Sequence, residues 1–206
     1  MRVSAIIPAY NEGPRIGETV KTVSIHVDEV LVINDGSRDN TAQVAEQASA
    51  TVINQPLNKG YIPAILRGFH EATGDIVITI DADGEFPADK IPELVQPILD
   101  DKADMVQGRR ETFVRPSERF LTYIAGLKAP VGDSGTGFRA LKKDLAEKLE
   151  LRGKCICGIF SLEVAHNKGR ITEIPIQLTQ IDKPRQIAWY HFLQFFYLLP
   201  WLVKRF

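Results

Sequence analysis

Short apolar runs recur through the first half of the chain, at Val3 to Ile7, Val30 to Ile33, Thr51 to Ile53, Ile76 to Ile80 and Asp104 to Gln107. Segments of helical character separate them, with their own start signals: Pro14, then Asp39 ahead of Asn40-Thr41-Ala42, then Pro87. Strands alternating with helices predict βαβ units and an α/β fold with a mainly parallel central sheet flanked by helices. Ile76 to Ile80 is apolar or β-branched throughout and reads as a central strand buried on both faces. From Glu111 to Pro130 the alternation fails. A basic, irregular stretch with Arg115, Pro116 and Arg119 leads there into an apolar helical segment, where a substrate loop is expected. Strand character returns from Ile171 to Leu178, with Pro175 pointing to an edge or a bulge.

The C-terminus differs in kind, so residues 1–185 read as one domain and 186–206 as an apolar, aromatic helical appendage. No charged residue falls between Gln186 and Val203, while Trp189, Tyr190, Phe192, Phe195, Phe196 and Tyr197 crowd into it. At ~1.5 Å per residue, sixteen helical residues reach about 24 Å, short of a ~30 Å hydrocarbon core, and Pro200 interrupts the run. Trp and Tyr enrichment ahead of Lys204-Arg205 suits a helix lying in a membrane interface. Packing on the domain or in a homo-oligomer contact is the competing reading.

A net charge of -1 over 206 residues gives no basic field to attract nucleic acid. Cys155 and Cys157, one residue apart, match neither a redox CxxC nor half of a familiar zinc motif, so reduced thiols are expected. His26, His70, His166 and His191 lack ligand spacing. The N-terminal apolar run is too short for a signal peptide and reads as a first strand, which predicts a cytoplasmic protein.

The chemistry sits after the strands. Asp81-Ala82-Asp83 follows the central strand and places two carboxylates at the sheet's carboxyl edge, where open α/β folds bind ligands. Two like charges there are costly without a counter-charge, and a divalent cation on a diphosphate supplies one. Pro8-Ala9-Tyr10-Asn11-Glu12 follows the first strand, and Asn34-Asp35-Gly36-Ser37-Arg38-Asp39 the second. Each is a generic turn alone, and much more specific beside the others.

With these loops stand Asn58-Lys59-Gly60, Asp81-Ala82-Asp83-Gly84-Glu85-Phe86-Pro87, Gly108-Arg109-Arg110, Asp133 with Thr136-Gly137-Phe138-Arg139-Ala140, and Glu163 with Glu173-Ile174-Pro175-Ile176. In that order and spacing the chain resembles the family-two glycosyltransferases of the GT-A fold, and within them the dolichyl-phosphate mannose synthase-like and polyprenyl-phosphate enzymes, over about residues 3 to 180. The resemblance implies an inverting transfer of a hexose, mannose or glucose, from a nucleotide-diphosphate sugar to a polyprenyl phosphate at the cytosolic membrane face. It implies that Pro8, Tyr10, Glu12 and Asp35 cradle base and ribose. Asp81 and Asp83, with Glu85, would hold Mg²⁺ or Mn²⁺. Arg110 and Arg119 would meet the acceptor phosphate, with Arg115 held more loosely.

Asp133 is a candidate general base for a hydroxyl acceptor and otherwise a turn acid, while Arg139 is assigned to a phosphate or a neighbouring carboxylate. Two positions depart from the pattern. Asn34 stands where relatives carry a first acid, and Arg185-Gln186-Ile187 stands where they carry a Ser-Lys-Leu-like clamp, so Arg185 becomes the candidate cation for the donor diphosphate. Two other readings keep the donor site: transfer to a glycan or small hydroxyl acceptor, or non-catalytic binding of a nucleotide sugar.

Overall fold

The computed structural model describes residues 1–111, 115–179 and 188–204. Six of its strands are parallel: β1 (Val3–Ala9), β2 (Glu29–Asn34), β3 (Thr51–Asn54), β4 (Ile76–Thr79), β5 (Met105–Arg110) and β7 (Ile171–Ile176). The seventh, β6 (Arg139–Lys142), runs antiparallel between β4 and β5, giving the order β3-β2-β1-β4-β6-β5-β7. Strand order reverses at β1, the switch point beside which α/β sheets open a crevice. Because β6 runs backwards, its first residue, Arg139, pairs with the last residue of β4, Thr79. The loop before β6 therefore reaches the same sheet edge as the loops that follow β1, β2, β4 and β5.

Side chains alternate between the two faces. Ala5 and Ile7 of β1 join Ile76 and Ile78 of β4 under α1 (Gly13–Ser24), α2 (Thr41–Gln47) and α4 (Ile91–Leu99). Ile6, Leu31 and Val77 face α3 (Tyr61–Glu71), α6 (Lys143–Ala146) and α7 (Ile159–His166). The helices form because their apolar positions recur at helical spacing: Ile16, Val20 and Val23 are the buried stripe of α1, and Ile62, Ile65 and Phe69 that of α3. Asp39 starts two helices at once, accepting the backbone N–H of Thr41 at 3.0 Å and that of Gly13 at 3.1 Å.

Several sequence expectations need adjusting. Pro8 lies within β1, buried, at a position beyond the end of β4's pairing, so its missing N–H removes no ladder bond to that strand. Pro175 does fall on an edge strand. The segment expected as a substrate loop becomes helix α5 (Pro116–Gly126) from Pro116 onward. The sequence pattern did not reveal β6, which has only four residues and opens on an arginine.

Helix α8 (Ala188–Val203) continues through Pro200, which sits in its last turn. It packs on α5 and α7 through a third apolar cluster containing Leu121, Ile124, Leu162 and Leu198. Its polarity is inverted: His191, Gln194 and Leu198 form the fully covered stripe, while Phe192, Phe196, Leu199 and Val203 face outward. Among the described residues, no helix is long and apolar enough to cross a membrane.

Contact between α3 and β1 is close at Gly68, where a Cβ would overlap Cγ2 of the fully buried Ile6. Gly68→Val should cost about 2–3 kcal/mol, roughly 4–12 °C in Tm, by forcing that contact apart. Gly126→Ala, whose Cβ would meet nothing nearer than Val131 O at 3.7 Å, should leave a thermal melt followed by circular dichroism nearly unchanged.

Candidate active site

The loops after β1 and β2 are clasped together. Asn11, held at φ +55°, receives a hydrogen bond at its Oδ1 from the Arg38 backbone (2.9 Å), while its own N–H donates to Ser37 Oγ (3.0 Å). Glu12 N–H donates to Thr41 Oγ1 at 2.8 Å, and its carboxylate accepts Arg15 Nη2 at 2.7 Å. Tyr10, beside them, is exposed. Asp35 is buried, and its two oxygens accept the backbone N–H groups of Lys59 (2.8 Å) and Gly60 (2.7 Å), fixing the start of α3. Asn34, the departure from the family's acid, donates to Asn54 Oδ1 at 2.7 Å and caps the turn by accepting Ser37 N–H.

One strand away, Asp81 and Asp83 flank Ala82, whose carbonyl accepts Thr19 Oγ1 at 3.0 Å. The turn closes at Gly84, φ +75°, with Glu85 N–H donating to Asp83 Oδ1 at 3.2 Å. Thr179, after β7, ties this turn down by donating from its N–H to Glu85 O (2.9 Å) and from Oγ1 to Gly84 O (2.9 Å). Glu85 itself is buried. Among the described residues, Asp81, Asp83 and Glu85 are not gathered into a ready three-carboxylate cluster. Asp81 is held from two sides. Tyr61 donates its hydroxyl to Asp81 Oδ1 at 2.8 Å, and a Cβ on Gly137 would lie 2.5 Å from that same oxygen. Burial, and then the charge of Asp81, raise the Tyr61 pKa well above its ordinary value, so the phenol stays a donor.

The loop from Gly132 to Phe138 is held by buried polar groups. Glu173 Oε1 accepts Gly132 N–H, Asp133 N–H and Gln107 Nε2, the last at 2.8 Å, and Gln107 Nε2 also donates to Asp133 O. Thr122 Oγ1 accepts Ser134 N–H at 3.1 Å, and Thr79 Oγ1 donates to Gly137 O at 2.8 Å. The centre is an ion pair: Arg110 donates Nε to Asp133 Oδ2 at 2.7 Å and Nη2 to Asp133 Oδ1 at 2.9 Å, with Glu118 at 3.1 Å from Nη2. Burial works against the Arg110 charge, but Asp133 and Glu118 more than offset it and raise its pKa.

This geometry corrects two expectations. Arg110 is buried in that ion pair rather than presented to a phosphate, and Asp133, fully buried, has both oxygens engaged by the guanidinium rather than turned toward an acceptor. Arg139 is also interior: its guanidinium lies 4.4 Å from the Phe160 ring centroid and donates Nη2 to Ser134 O, while Nε and Nη1 find no hydrogen-bond partner among the described residues. Burial lowers its pKa. Arg119, near the start of α5, is exposed, and Arg115 approaches Glu118 at 3.6 Å. Arg185 lies outside the described residues. Tyr61, Gln107 and Gly137 carry positioning roles that sequence reasoning did not assign. The nearest signal was motif membership: Tyr61 directly follows Asn58-Lys59-Gly60, and Gly137 lies inside Thr-Gly-Phe-Arg.

Paired acids past β4, and a glycine of the loop before the backward strand β6 set against the first of them, form the candidate site of an α/β transferase. The chain belongs to glycosyl transferase family 2, whose model matches residues 4–150. It is similar to the UDP-N-acetylglucosamine--dolichyl-phosphate N-acetylglucosaminyltransferase of Methanococcus voltae, 29% identical over 212 residues, covering 84% of this chain and 83% of that protein. It is also similar to the dolichol-phosphate mannosyltransferase of Pyrococcus furiosus, 28% identical over 197 residues and 85% of this chain, although the match spans only 56% of that protein. Among solved structures, glucosyl-3-phosphoglycerate synthase of Mycobacterium tuberculosis in complex with uridine-diphosphate aligns over 100% of this chain and 81% of its own, with TM-score 0.82 at 21% identity. The same enzyme with Mn2+, uridine-diphosphate-glucose and phosphoglyceric acid gives a TM-score of 0.77 at 21% identity, over 96% of this chain and 78% of that one. The fold is GT-A, as the sequence predicts.

Breaking the ion pair by Asp133→Ala leaves Arg110 buried with only part of its counter-charge and should cost about 3–5 kcal/mol. Urea denaturation at unchanged m-value measures it; a loss under about 1 kcal/mol would show that the pair is not structural.

Proposed function

We propose that the chain is an inverting glycosyltransferase that moves a hexose, mannose or glucose, from a nucleotide-diphosphate sugar to a polyprenyl phosphate at the cytosolic face of a membrane. The observation carrying the acceptor assignment is the state of Asp133. The candidate base is buried and bound by Arg110, which suits an acceptor that needs no deprotonation. A phosphate monoester is ionised at neutral pH and attacks as it stands.

On the donor side, Tyr10 offers an aromatic face to the base, and Glu12 and Asp35, with Pro8 behind them, line the nucleoside end. Asp81 and Asp83 supply hard carboxylate oxygens at the sheet edge, a donor set that fits Mg²⁺ or Mn²⁺ better than soft ions. The cation, when bound, neutralises charge on the departing diphosphate. Tyr61 and Gly137 hold the Asp81 carboxylate in place before substrate arrives. An acceptor phosphate oxygen forms a bond to the anomeric carbon on the face opposite the diphosphate, whose bond to that carbon breaks, so configuration inverts. Arg119, exposed in α5, and Arg185 are the cations proposed to receive the acceptor and donor phosphates. The lipid half is supported by the outward aromatic face of α8, where Phe192 is 57% and Phe196 52% exposed, continued on α5 by Phe120 and Tyr123.

Asp83→Asn should lower metal-dependent transfer roughly 100-fold or more, the effect of losing a few kcal/mol of transition-state charge stabilisation, with an unchanged melting curve. Undiminished transfer by that variant removes the metal role. Phe192→Ser with Phe196→Ser changes only exposed positions and should abolish flotation with vesicles of neutral and anionic phospholipid. Equal flotation of parent and variant counts against a membrane face, and a shift from dimer to monomer on sizing assigns the patch to self-association.

A further inference from the structure

Behind the loop that precedes β6, the packing of α8 against the α7 end of the domain brings a histidine from the far end of the chain to a pair of cysteines one residue apart. The ligand atoms of Cys155, Cys157 and His191 all lie within 4.8 Å of one another. Cys157 Sγ is 3.6 Å from His191 Nε2, and Cys157 and His191 are both buried. On its other side the imidazole is fixed by Ser117, whose Oγ lies 2.8 Å from Nδ1. If Nδ1 carries the proton and donates it to Ser117, Nε2 presents its lone pair to the sulfurs, the arrangement by which proteins orient a ligating histidine. Gln194, one turn further along α8, accepts the backbone N–H of Lys154 at 2.8 Å and of Cys155 at 3.2 Å, fixing the loop that carries both cysteines.

We propose that Cys155, Cys157 and His191 bind a thiophilic divalent cation, zinc in the first instance, through two sulfurs and one imidazole nitrogen. Tetrahedral zinc with Zn–S near 2.3 Å and Zn–N near 2.0 Å places its ligand atoms about 3.5–3.8 Å apart, so a contraction of under about 1.5 Å closes the site. Binding displaces one proton from each thiol to solvent, and two thiolates then balance the dipositive ion inside the protein. The site borders the buried ion pair: a Cβ built on Gly135 would lie 3.1 Å from Arg110 Nη2 and 3.4 Å from Cys157 Sγ, so guanidinium and sulfur face the same space, and the guanidinium favours the thiolate form. The donor set is soft, unlike the carboxylates of Asp81 and Asp83, so the two sites select different ions. The fourth position is left to water or an added ligand.

This also accounts for the inverted polarity of α8. A helix that turns a histidine and a glutamine inward and phenylalanines outward is placed by polar anchors, and a metal bond from His191 to the cysteine loop would make that placement rigid. The inference goes beyond the proposed transfer reaction and does not depend on it.

The test uses the full chain carrying Asp83→Asn, reduced and stripped with chelator, then titrated with Co²⁺ as a spectroscopic probe and with Zn²⁺. Expected are one equivalent of Co²⁺ with a thiolate-to-metal charge-transfer band and tetrahedral d–d intensity, displacement by Zn²⁺, and a rise in Tm on zinc binding. Cys155→Ser, at the less buried cysteine, and His191→Gln should each weaken or remove the band, with circular dichroism confirming that the variants fold. Absence of a charge-transfer band at one equivalent in the reduced chain overturns the proposal, as does a band insensitive to both substitutions. A two-dalton mass loss on air oxidation combined with no cobalt uptake after reduction identifies the pair as a disulfide instead.

Discussion

The buried pair between Arg110 and Asp133 is the constraint on which the site is built. Two charges with side chains 4% and 0% exposed sit where strand β5 ends and the loop before β6 begins. Taking them out of water is expensive, and only the full set of partners makes it tolerable: a bidentate contact, Glu118, and the backbone N–H groups of Arg110 and Gly135 on the Asp133 oxygens. Those partners leave the loop little freedom. Glu173 and Gln107 fix its first residues, Thr122 its middle and Thr79 its end. The loop therefore delivers Gly137 to Asp81, and the carboxylate proposed as a cation ligand is positioned by a network that begins at the far side of the sheet.

Much of this architecture could be read from the chain. The parallel strands announced themselves because β1, β2 and β4 are buried on both faces and spell long apolar runs. The acids after β4 and the loops after β1 and β2 were legible for the same reason, since each follows a strong strand. Strand β6 was not legible: half of its four residues are charged, and Arg139 is interior because it lies over Phe160, which no local pattern shows. The roles of the arginines are the least legible in the sequence. Sequence cannot distinguish a guanidinium waiting for a phosphate from one already bound, and Arg110, Arg115 and Arg119 fall into different states within ten residues: paired and buried, leaning on an acid, and exposed. Cys155, Cys157 and His191 escaped for a geometric reason. The two cysteines are neighbours in the chain, but His191 reaches them only through the docking of α8, and the spacing along the chain carries no trace of that third ligand.

The C-terminal helix shows how a periodic pattern can be read on the wrong face. Phe192, Phe195, Phe196 and Leu199 look like the side that should be covered, yet the stripe through His191, Gln194 and Leu198 is the covered one. Gln194 is turned inward, where its Oε1 accepts two backbone N–H groups of the 154–155 loop, a polar anchor that its phenylalanine neighbours cannot supply.

Strand β6 has one more effect. Its backward insertion makes the link between the Asp81-Ala82-Asp83 turn and the Arg110–Asp133 pair a set of main-chain hydrogen bonds within one sheet: β4 to β6, then β6 to β5. Each step is about 4.8 Å, fixed by the chemistry of the peptide group. The separation of β4, which leads into Asp81, from β5, which ends in Arg110, is thus set by a molecular ruler with two divisions, and side-chain substitutions leave that ruler unchanged.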